Sequence, residues 1–313
     1  MTRRRFLAAA AAGAAATLTG RVRGSESAGS GFRGVLCFFS KHLPDMDARQ
    51  VARAVKPLGF AGVDLTVRPG GHVAPERAAE DLPPFLRTLR EEGLEVPMIT
   101  TALVSAADPT AFPILETAGR NHVSFFKPGY YHYAFVDVRK ELESAGNELR
   151  GLAELSARCG VQLGYHNHAG YLGGPVWDIA RVIDGLDARW AGYYFDVRHA
   201  VVEGGDGGWR GALNLVAPRL KMVAIKDFFW EKTPKGWQQR NCPLGEGMVD
   251  WKEFFTALAK AGFAGPVSLH LEYDIPGATA AARQENTLAA ATRDLAFLKA
   301  HLAKAYAGSS AVG

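Results

Sequence analysis

The stretch Val161-Gln162-Leu163-Gly164-Tyr165-His166-Asn167-His168 is an apolar run that ends in two histidines. The run predicts a buried strand. Side chains alternate faces along a strand, so His166 and His168 are expected to point the same way. Two imidazoles on one face at the end of a strand are unusual for a purely structural role. We therefore expect this strand end to belong to a functional site.

Strand-like and helix-like segments alternate on both sides of this stretch. The predicted strands are 34–39, 62–67, 96–101, 122–126, 161–168, 191–196, 222–227 and 266–272. The predicted helices are 47–58, 75–92, 110–118, 137–158, 176–183, 209–217, 251–261 and 279–305. Continuously apolar strands indicate a parallel sheet that is covered on both faces. Eight such units predict a (β/α)8 TIM barrel, an eight-stranded parallel barrel with outer helices. A doubly wound sheet would need a glycine-rich phosphate turn after its first strand, and none is present.

Composition narrows the class of protein. The chain has 313 residues, is 48% hydrophobic and carries a net charge of +4, which suits one large globular domain. Basic residues do not form a stripe interleaved with aromatic residues, so nucleic acid is not an expected partner. The three cysteines lack CxxC spacing and predict neither a disulfide framework nor a zinc site.

The N-terminal segment has the pattern of an export signal. Residues 2–7, Thr-Arg-Arg-Arg-Phe-Leu, precede a run of alanines that reaches Leu18. A charged start and a short apolar stretch indicate a signal peptide rather than a membrane span. Its order resembles the bacterial twin-arginine signal, which predicts a periplasmic or secreted protein. We expect residues 1–30 to be signal and linker, residues 31–313 to form the barrel domain, and the mature chain to lack a membrane span. A disordered amphiphilic tail is the alternative.

Polar residues gather at the predicted strand ends. Active sites of such barrels lie at the C-terminal ends of the strands. A charged residue in an apolar strand is costly unless it is paired or liganded. The candidates are Asp64, Lys127, Tyr130, Tyr131, His166, His168, Asp196, Arg198, His199, Lys226, Asp227, His270 and Glu272. Each alone has a structural explanation, such as a core histidine or a helix cap. Together they predict one functional site.

The residue types indicate proton transfer beside a carbonyl. His, Asp and Glu from separate strands suit a divalent metal such as Mn²⁺, Co²⁺, Zn²⁺ or Mg²⁺. Such a metal polarises a carbonyl, a second side chain moves the proton, and Lys226 would stabilise the enediolate oxygen. Aromatic rings such as Trp230 and Tyr131 are suited to stacking on a sugar. GxSxG, Walker and HExxH motifs are absent from the sequence.

Five segments together resemble the xylose-isomerase-like TIM barrels, the sugar phosphate isomerase/epimerase group that includes inosose dehydratase, ketose 3-epimerases and endonuclease IV. The segments, in order, are 164–168 (GYHNH), 195–199 (FDVRH), 225–227 (IKD), 244–251 (LGEGMVDW) and the strand that contains Glu272. The resemblance covers residues 32–305. It implies a TIM barrel enzyme that acts on a small carbohydrate, and it implies homo-oligomerisation.

The resemblance also implies a metal held by two Glu, one Asp and one His. By position, Asp196 matches the family Asp, and His199 matches a substrate-contacting His. The first family Glu falls at or near His166. The family His falls at Ala224, which cannot ligate. The final Glu falls at His270, with Glu272 two residues further on the same face. The ligand set is therefore altered from that of the family.

The resulting hypothesis is an exported sugar isomerase or epimerase that acts on a carbohydrate or cyclitol. His166, Asp196 and His270 would bind a metal or, without it, sugar hydroxyls. Glu272 or His168 would be the acid/base, and Lys226 would stabilise the oxyanion. The predicted substrate-binding residues are His199, Lys127, Tyr131, Trp230 and Glu246.

Three alternatives remain from the sequence. The same enolate could expel a leaving group, which gives a lyase or dehydratase on a 3-keto-sugar or an inosose. Ala224 and His270 in ligand positions suggest a sugar-binding barrel without catalysis. A DNA-repair nuclease is disfavoured because such enzymes need three metals and more ligands than this chain offers.

Overall fold

The structure, a computed structural model, describes residues 31–307. The predicted export signal and linker, residues 1–30, lie outside the described residues, as do residues 308–313. Within residues 31–307, no helix is long and apolar enough to cross a membrane.

Eight parallel strands close into a barrel, which confirms the predicted fold class. The barrel strands are β1 (Leu36–Phe39), β2 (Gly62–Val67), β3 (Glu95–Thr101), β4 (Phe125–Lys127), β5 (Gln162–His166), β6 (Ala191–Asp196), β7 (Leu220–Ile225) and β10 (Val267–Leu269). Two further strands, β8 (Asp227–Thr233) and β9 (Gly236–Cys242), lie outside the barrel. The barrel order is β1-β10-β7-β6-β5-β4-β3-β2, while β8 and β9 pair separately and antiparallel. This order places β3 opposite β7, β2 opposite β6 and β4 opposite β10.

Helices surround the barrel. They are α1 (Ala48–Val55), α2 (Ala78–Glu91), α3 (Ala111–Arg120), α4 (Val138–Cys159), α5 (Trp177–Asp184), α6 (Val197–Val216), α7 (Trp251–Lys260) and α8 (Ala280–Tyr306). Helix α6 begins well before the predicted start at residue 209. Asp196 caps it by accepting the backbone N–H of His199 at 3.1 Å. Four glycines between residues 204 and 208 hide the helix in the sequence, and Gly205, at φ 63°, marks a kink within it.

The β8–β9 hairpin was not predicted from the sequence. The predicted seventh strand ran through Asp227, but β7 ends at Ile225 and the hairpin begins at Asp227. Thr233 pairs with Gly236 across a turn of two residues, Pro234 and Lys235. Gly236 takes a positive φ of 96°, which glycine adopts without strain. The hairpin therefore extends from the rim of the barrel directly after Lys226.

The lower interior of the barrel is filled by side chains. Met98, Tyr194, Met222 and Ala224 form a buried cluster inside it. A Cβ at Gly164 would lie 2.1 Å from the Met222 methyl carbon, so the Met222 side chain fits here only because residue 164 is a glycine. This cluster fills part of the barrel interior, as side chains do in eight-stranded barrels.

Candidate functional site

An open cavity of about 160 Å³ lies at the C-terminal ends of the barrel strands. Its twelve lining residues are Phe39, Lys41, Arg68, Thr100, Lys127, Tyr130, His166, His168, Tyr194, Lys226, His270 and Glu272. Most of these side chains are charged or hydrogen-bonding, which is the composition of a site for a polar ligand. The position is the one expected for the active site of a TIM barrel.

Lys226 occupies the centre of an ion cluster in this cavity. Its Nζ lies 3.2 Å from Asp196 Oδ2 and 3.2 Å from Glu272 Oε2. Lys41 Nζ lies 2.6 Å from the other oxygen of Glu272. Burial opposes the charge of each acid, but the Lys226 ammonium holds the pKa of both Asp196 and Glu272 below its ordinary value. Both acids are therefore carboxylates, and Glu272 links two ammonium groups.

Two histidines form the wall at β5, as the sequence predicted. His166 ends the strand and His168 follows it, and both line the cavity. Burial lowers the pKa of His166 to about 3 and the pKa of His168 to about 4. Both imidazoles are consequently neutral near pH 7. Tyr130 lies between them and the rim, with its hydroxyl 3.1 Å from His166 Nδ1.

The backbone fixes the tautomer of His168. Its Nδ1 lies 3.0 Å from the carbonyl oxygen of Ala169, which can only accept. We therefore assign the proton of His168 to Nδ1. Nε2 is left with a free lone pair, as a general base requires.

A third carboxyl group, that of Asp64, lies below the cavity. Asp64 of β2 accepts the hydroxyls of Thr100 at 2.8 Å, Ser268 at 2.9 Å and Tyr194 at 3.3 Å. Burial raises the pKa of Asp64. The Tyr194 hydroxyl also lies 3.1 Å from His270 Nε2. Asp64 thus holds the floor of the site together and orients His270 through Tyr194.

His199 lies behind the cavity rather than on its surface. Its ring contacts the His168 ring at a centroid distance of 3.8 Å with a tilt of 37°, and its Nδ1 is 3.0 Å from a guanidinium nitrogen of Arg198. Arg198 is held by Asn241 of β9 at 2.8 Å. His199 therefore contacts the proposed base His168 and stays outside the cavity lining.

Three other predicted substrate-binding residues also lie outside the cavity lining. Tyr131 donates its hydroxyl to the Val104 carbonyl at 2.6 Å, and its ring stacks on Tyr165. Trp230 lies on the hairpin with its ring edge against Phe228. Glu246 lines a separate surface groove with Arg293. Lys127 is the predicted substrate-binding residue that does line the cavity.

Five cavity residues were missed from the sequence, the charged Lys41 and Arg68 and the uncharged Phe39, Thr100 and Tyr194. Both charged residues come shortly after barrel strands, Lys41 in the turn after β1 and Arg68 directly after β2. Polar residues at strand ends are the signal that predicts the rest of the site. Lys41 and Arg68 carry the same signal, so it could have found them.

The predicted metal ligands lie close together, yet their arrangement does not fit a divalent metal. Four buried atoms make no well-aligned hydrogen bond among the described residues: His166 Nε2, Asp196 Oδ2, His199 Nε2 and His270 Nδ1. Asp196 Oδ2 nevertheless has His166 Nε2 at 3.3 Å and Lys226 Nζ at 3.2 Å. Such atoms could form part of a ligand shell. However, the Lys226 ammonium already sits against Asp196 and Glu272, and Ala224 offers no donor. Within residues 31–307, no three His, Cys, Asp or Glu side chains are grouped to hold a metal ion.

A model of the xylose isomerase-like TIM barrel family matches residues 52–301. The chain belongs to the xylose isomerase-like TIM barrel family. The resemblance drawn from the five sequence segments is thereby confirmed.

Known relatives are distant. The chain is 25% identical over 158 residues to an inosose dehydratase of Bacillus velezensis, which covers 44% of this chain and 52% of the relative. An inosose dehydratase of Geobacillus thermodenitrificans is 28% identical over 150 residues, covering 44% of this chain and 50% of the relative. The chain spans about half the length of the curated relatives it matches.

Two solved structures share the fold of this chain. A xylose isomerase-like protein of Mycobacterium smegmatis in complex with magnesium has a TM-score of 0.65 and 17% identity, and the match covers 87% of this chain and 98% of that one. D-psicose 3-epimerase of Clostridium cellulolyticum with D-tagatose has a TM-score of 0.65 and 14% identity, covering 86% of this chain and 99% of that one. At these identities the likeness concerns the fold.

Proposed function

We propose that this protein is a sugar-modifying enzyme that removes a proton next to a carbonyl of a carbohydrate or cyclitol, as an isomerase or epimerase. The observation that carries the proposal is the pair formed by an ammonium, Lys226, and a neutral imidazole, His168, which line one cavity. The pair supplies a cation for a developing oxyanion and a base for the proton.

Lys226 is the electrophile in this proposal. A carbonyl oxygen placed against its Nζ gains negative charge as the neighbouring C–H bond breaks, and a fixed ammonium stabilises that charge. Asp196 and Glu272 hold the ammonium from two sides at 3.2 Å, so little reorganisation is needed during the reaction. Lys41 brings a second positive charge to the same carboxylate.

His168 is the favoured base over Glu272. Both oxygens of Glu272 already contact ammonium groups, whereas His168 Nε2 makes no hydrogen bond among the described residues. The free Nε2 of His168 would accept the proton from carbon, and the bonding electrons would form the enediolate. A second acid, such as the Tyr130 phenol, then protonates the same carbon from the other face, or His168 returns its proton to the neighbouring carbon. The first of these steps gives epimerisation and the second gives isomerisation.

Elimination is the second candidate, because the curated relatives that the chain matches are inosose dehydratases. The same enolate would then lose a hydroxyl group from the adjacent carbon as water. An acid must protonate that hydroxyl, and the Tyr130 phenol lines the cavity near His166. Burial raises the pKa of Tyr130, so the phenol carries its proton near pH 7.

Metal assistance is a separate hypothesis with its own test. A bound divalent ion would supply Lewis acidity at the carbonyl, but the present donor set does not fit one. Elemental mass spectrometry of protein purified without chelator, beside Asp196→Ala, decides between the two versions. About one equivalent of metal in the wild-type protein, lost in Asp196→Ala, would support His166, Asp196 and His270 as metal ligands.

Export through the twin-arginine pathway is likewise a proposal, supported by residues 2–7.

The proposed function is tested by incubating the protein in D₂O with a panel of neutral and acidic ketoses and 3-keto-glycosides. We expect deuterium at the carbon next to the carbonyl, detected by NMR, with an epimer or isomer as product. An unsaturated product that absorbs in the near ultraviolet would identify the elimination instead. Binding of a sugar without exchange or elimination would contradict catalysis and favour a sugar-binding barrel.

A further inference from the structure

The cavity carries more positive than negative groups on its surface. Four cationic side chains line it, Lys41, Arg68, Lys127 and Lys226, against one carboxylate, Glu272. Glu272 pairs with Lys41 and Lys226, and Lys226 also pairs with Asp196 beneath the surface. The other two cationic side chains, Arg68 and Lys127, take no part in these ion pairs.

Arg68 and Lys127 lack a protein anion. Within residues 31–307, neither side chain makes an ion pair or a hydrogen bond. Both rest on aromatic faces instead: the Arg68 guanidinium carbon lies 5.9 Å from the centre of the Phe39 ring, and Lys127 Nζ lies 3.4 Å from that of Tyr130. Lys127 is only 4% exposed. A buried ammonium without an anion is unfavourable, so the site is electrostatically incomplete.

Asp64 is the nearby buried acid, but it forms no ion pair with Arg68 or Lys127. Its oxygens already accept the hydroxyls of Thr100, Ser268 and Tyr194, and burial raises its pKa. Burial and then the Arg68 charge lower the pKa of Lys127 well below its ordinary value. The Asp64 charge offsets part of this effect, but neither Arg68 nor Lys127 has an acid within ion-pair distance among the described residues, and an external anion would relieve the remaining repulsion.

The unpaired cations lie across the barrel from Lys226. Arg68 follows β2 and Lys127 ends β4, and these strands flank β3, which is opposite the Lys226 strand β7. A ligand that spans the cavity can place its carbonyl at Lys226 and another group between Arg68 and Lys127. The guanidinium fork of arginine matches the paired oxygens of a carboxylate or a phosphate.

We propose that the ligand of this cavity is a carbohydrate or cyclitol that carries an oxyanionic group, carboxylate or phosphate, and that Arg68 and Lys127 bind that group. The carbohydrate part rests on the proposed function. The anionic part rests on the two unpaired cations, independently of any reaction. Arg68 is then the residue that sets specificity for charged over neutral sugars.

The test is isothermal titration calorimetry on the full chain with D-glucuronate, D-glucose 6-phosphate and D-glucose. We expect at least one anionic sugar to bind about 10- to 100-fold more tightly than D-glucose, and the tighter of the two identifies carboxylate or phosphate. Arg68→Met should abolish this preference, because it should weaken binding of the anionic sugars more than binding of D-glucose. Arg68→Lys, which keeps the charge without the fork, should retain part of it.

Arg87→Met is the matched control, because Arg87 is an exposed arginine on α2 that does not line the cavity. It should keep the full preference. Equal binding of charged and neutral sugars, absence of binding by both anionic sugars, or equal weakening of all three by Arg68→Met would each overturn the inference. Anionic sugars that bind through Arg68 but show no deuterium exchange would contradict only the proposed function. Deuterium exchange on neutral sugars at a rate that Arg68→Met does not change would contradict only this inference.

Discussion

Lys226 and Asp227 are consecutive, oppositely charged and almost inaccessible to solvent, yet they serve different parts of the molecule. Lys226 points into the open cavity, where its carboxylate partners lie among atoms that make no well-aligned hydrogen bond within residues 31–307. Asp227 points outward and accepts backbone N–H groups of Gly245, Gly247 and Val249 and the indole N–H of Trp251.

The difference shows how to distinguish buried charged residues that act on a substrate from those that stabilise the fold. Every contact that Asp227 makes is to a donor of the protein itself, so this carboxylate organises the loop that contains the LGEG motif. Lys226 faces a space that a substrate can enter, and its ammonium is held ready by two carboxylates. Changes on the Lys226 side should therefore affect turnover, and changes on the Asp227 side should affect stability.

The largest expected effect is on the cavity side, at His168. His168→Asn removes the free Nε2 lone pair, and loss of a general base lowers turnover by about 10²- to 10⁴-fold. The exchange rate in D₂O, measured per folded molecule, checks this. His122→Asn is the control, since His122 is exposed at a positive φ of 58° that asparagine tolerates. Equal exchange in both variants would remove His168 from the mechanism.

On the architectural side, Asp227→Asn should lower the free energy of unfolding by about 3 kcal/mol, because an amide group would face N–H donors. Urea denaturation measures the change. Turnover per folded molecule should stay at the wild-type value. A stable variant without activity would reverse the assignment of this residue.

A glycine substitution sharpens the same point. A Cβ at Gly247 would lie 2.1 Å from Asp227 Oδ1, so Gly247→Ala should destabilise the protein through the same loop. Gly207→Ala is the matched control in α6, where nothing lies within 4 Å of the added carbon. Helix propensity predicts that this control gains about 0.5–1 kcal/mol.

Stability should also depend on pH through the cavity histidines. The pKa of His166 is lowered to about 3 and that of His168 to about 4, from an ordinary value of 6.5. Below pH 6.5 the unfolded chain therefore binds protons that the folded chain does not, so stability falls as the pH is lowered. The carboxylates with lowered pKa add to this loss only below about pH 4. Denaturation at pH 6.5 and 4.5 measures the histidine part, and equal stability at both would contradict their buried neutral state.

The smallest expected effect is at Trp230, which lies on the hairpin outside the cavity lining. Trp230→Ala should change KM by no more than about twofold. Tyr130→Phe, which removes a hydroxyl from the cavity, should change it about fivefold. The opposite ranking would show that the hairpin covers the bound sugar.

The barrel and the place of its site could be predicted from sequence, because continuous apolar strands and polar strand ends are local signals. The direction of a side chain at a strand end could not. Lys226 and Asp227 were both expected at the site, but the strand ends at Ile225 and the hairpin turns Asp227 outward. The hairpin itself was missed because its stretch is mostly polar. The pairing that leaves Arg68 unpartnered depends on contacts between distant strands, and no local pattern reveals them.

The most direct test of the account is to compare solvent-deuterium exchange in Lys226→Met and Asp227→Asn at equal concentrations of folded protein. Near-ultraviolet circular dichroism gives the folded fraction, which matters because Lys226→Met leaves Asp196 without its ammonium partner. We predict that Asp227→Asn exchanges at the wild-type rate and that Lys226→Met is slower by about 10²- to 10³-fold, the usual effect of removing an oxyanion partner. Wild-type exchange in Lys226→Met would contradict the claim that this ammonium stabilises the developing charge.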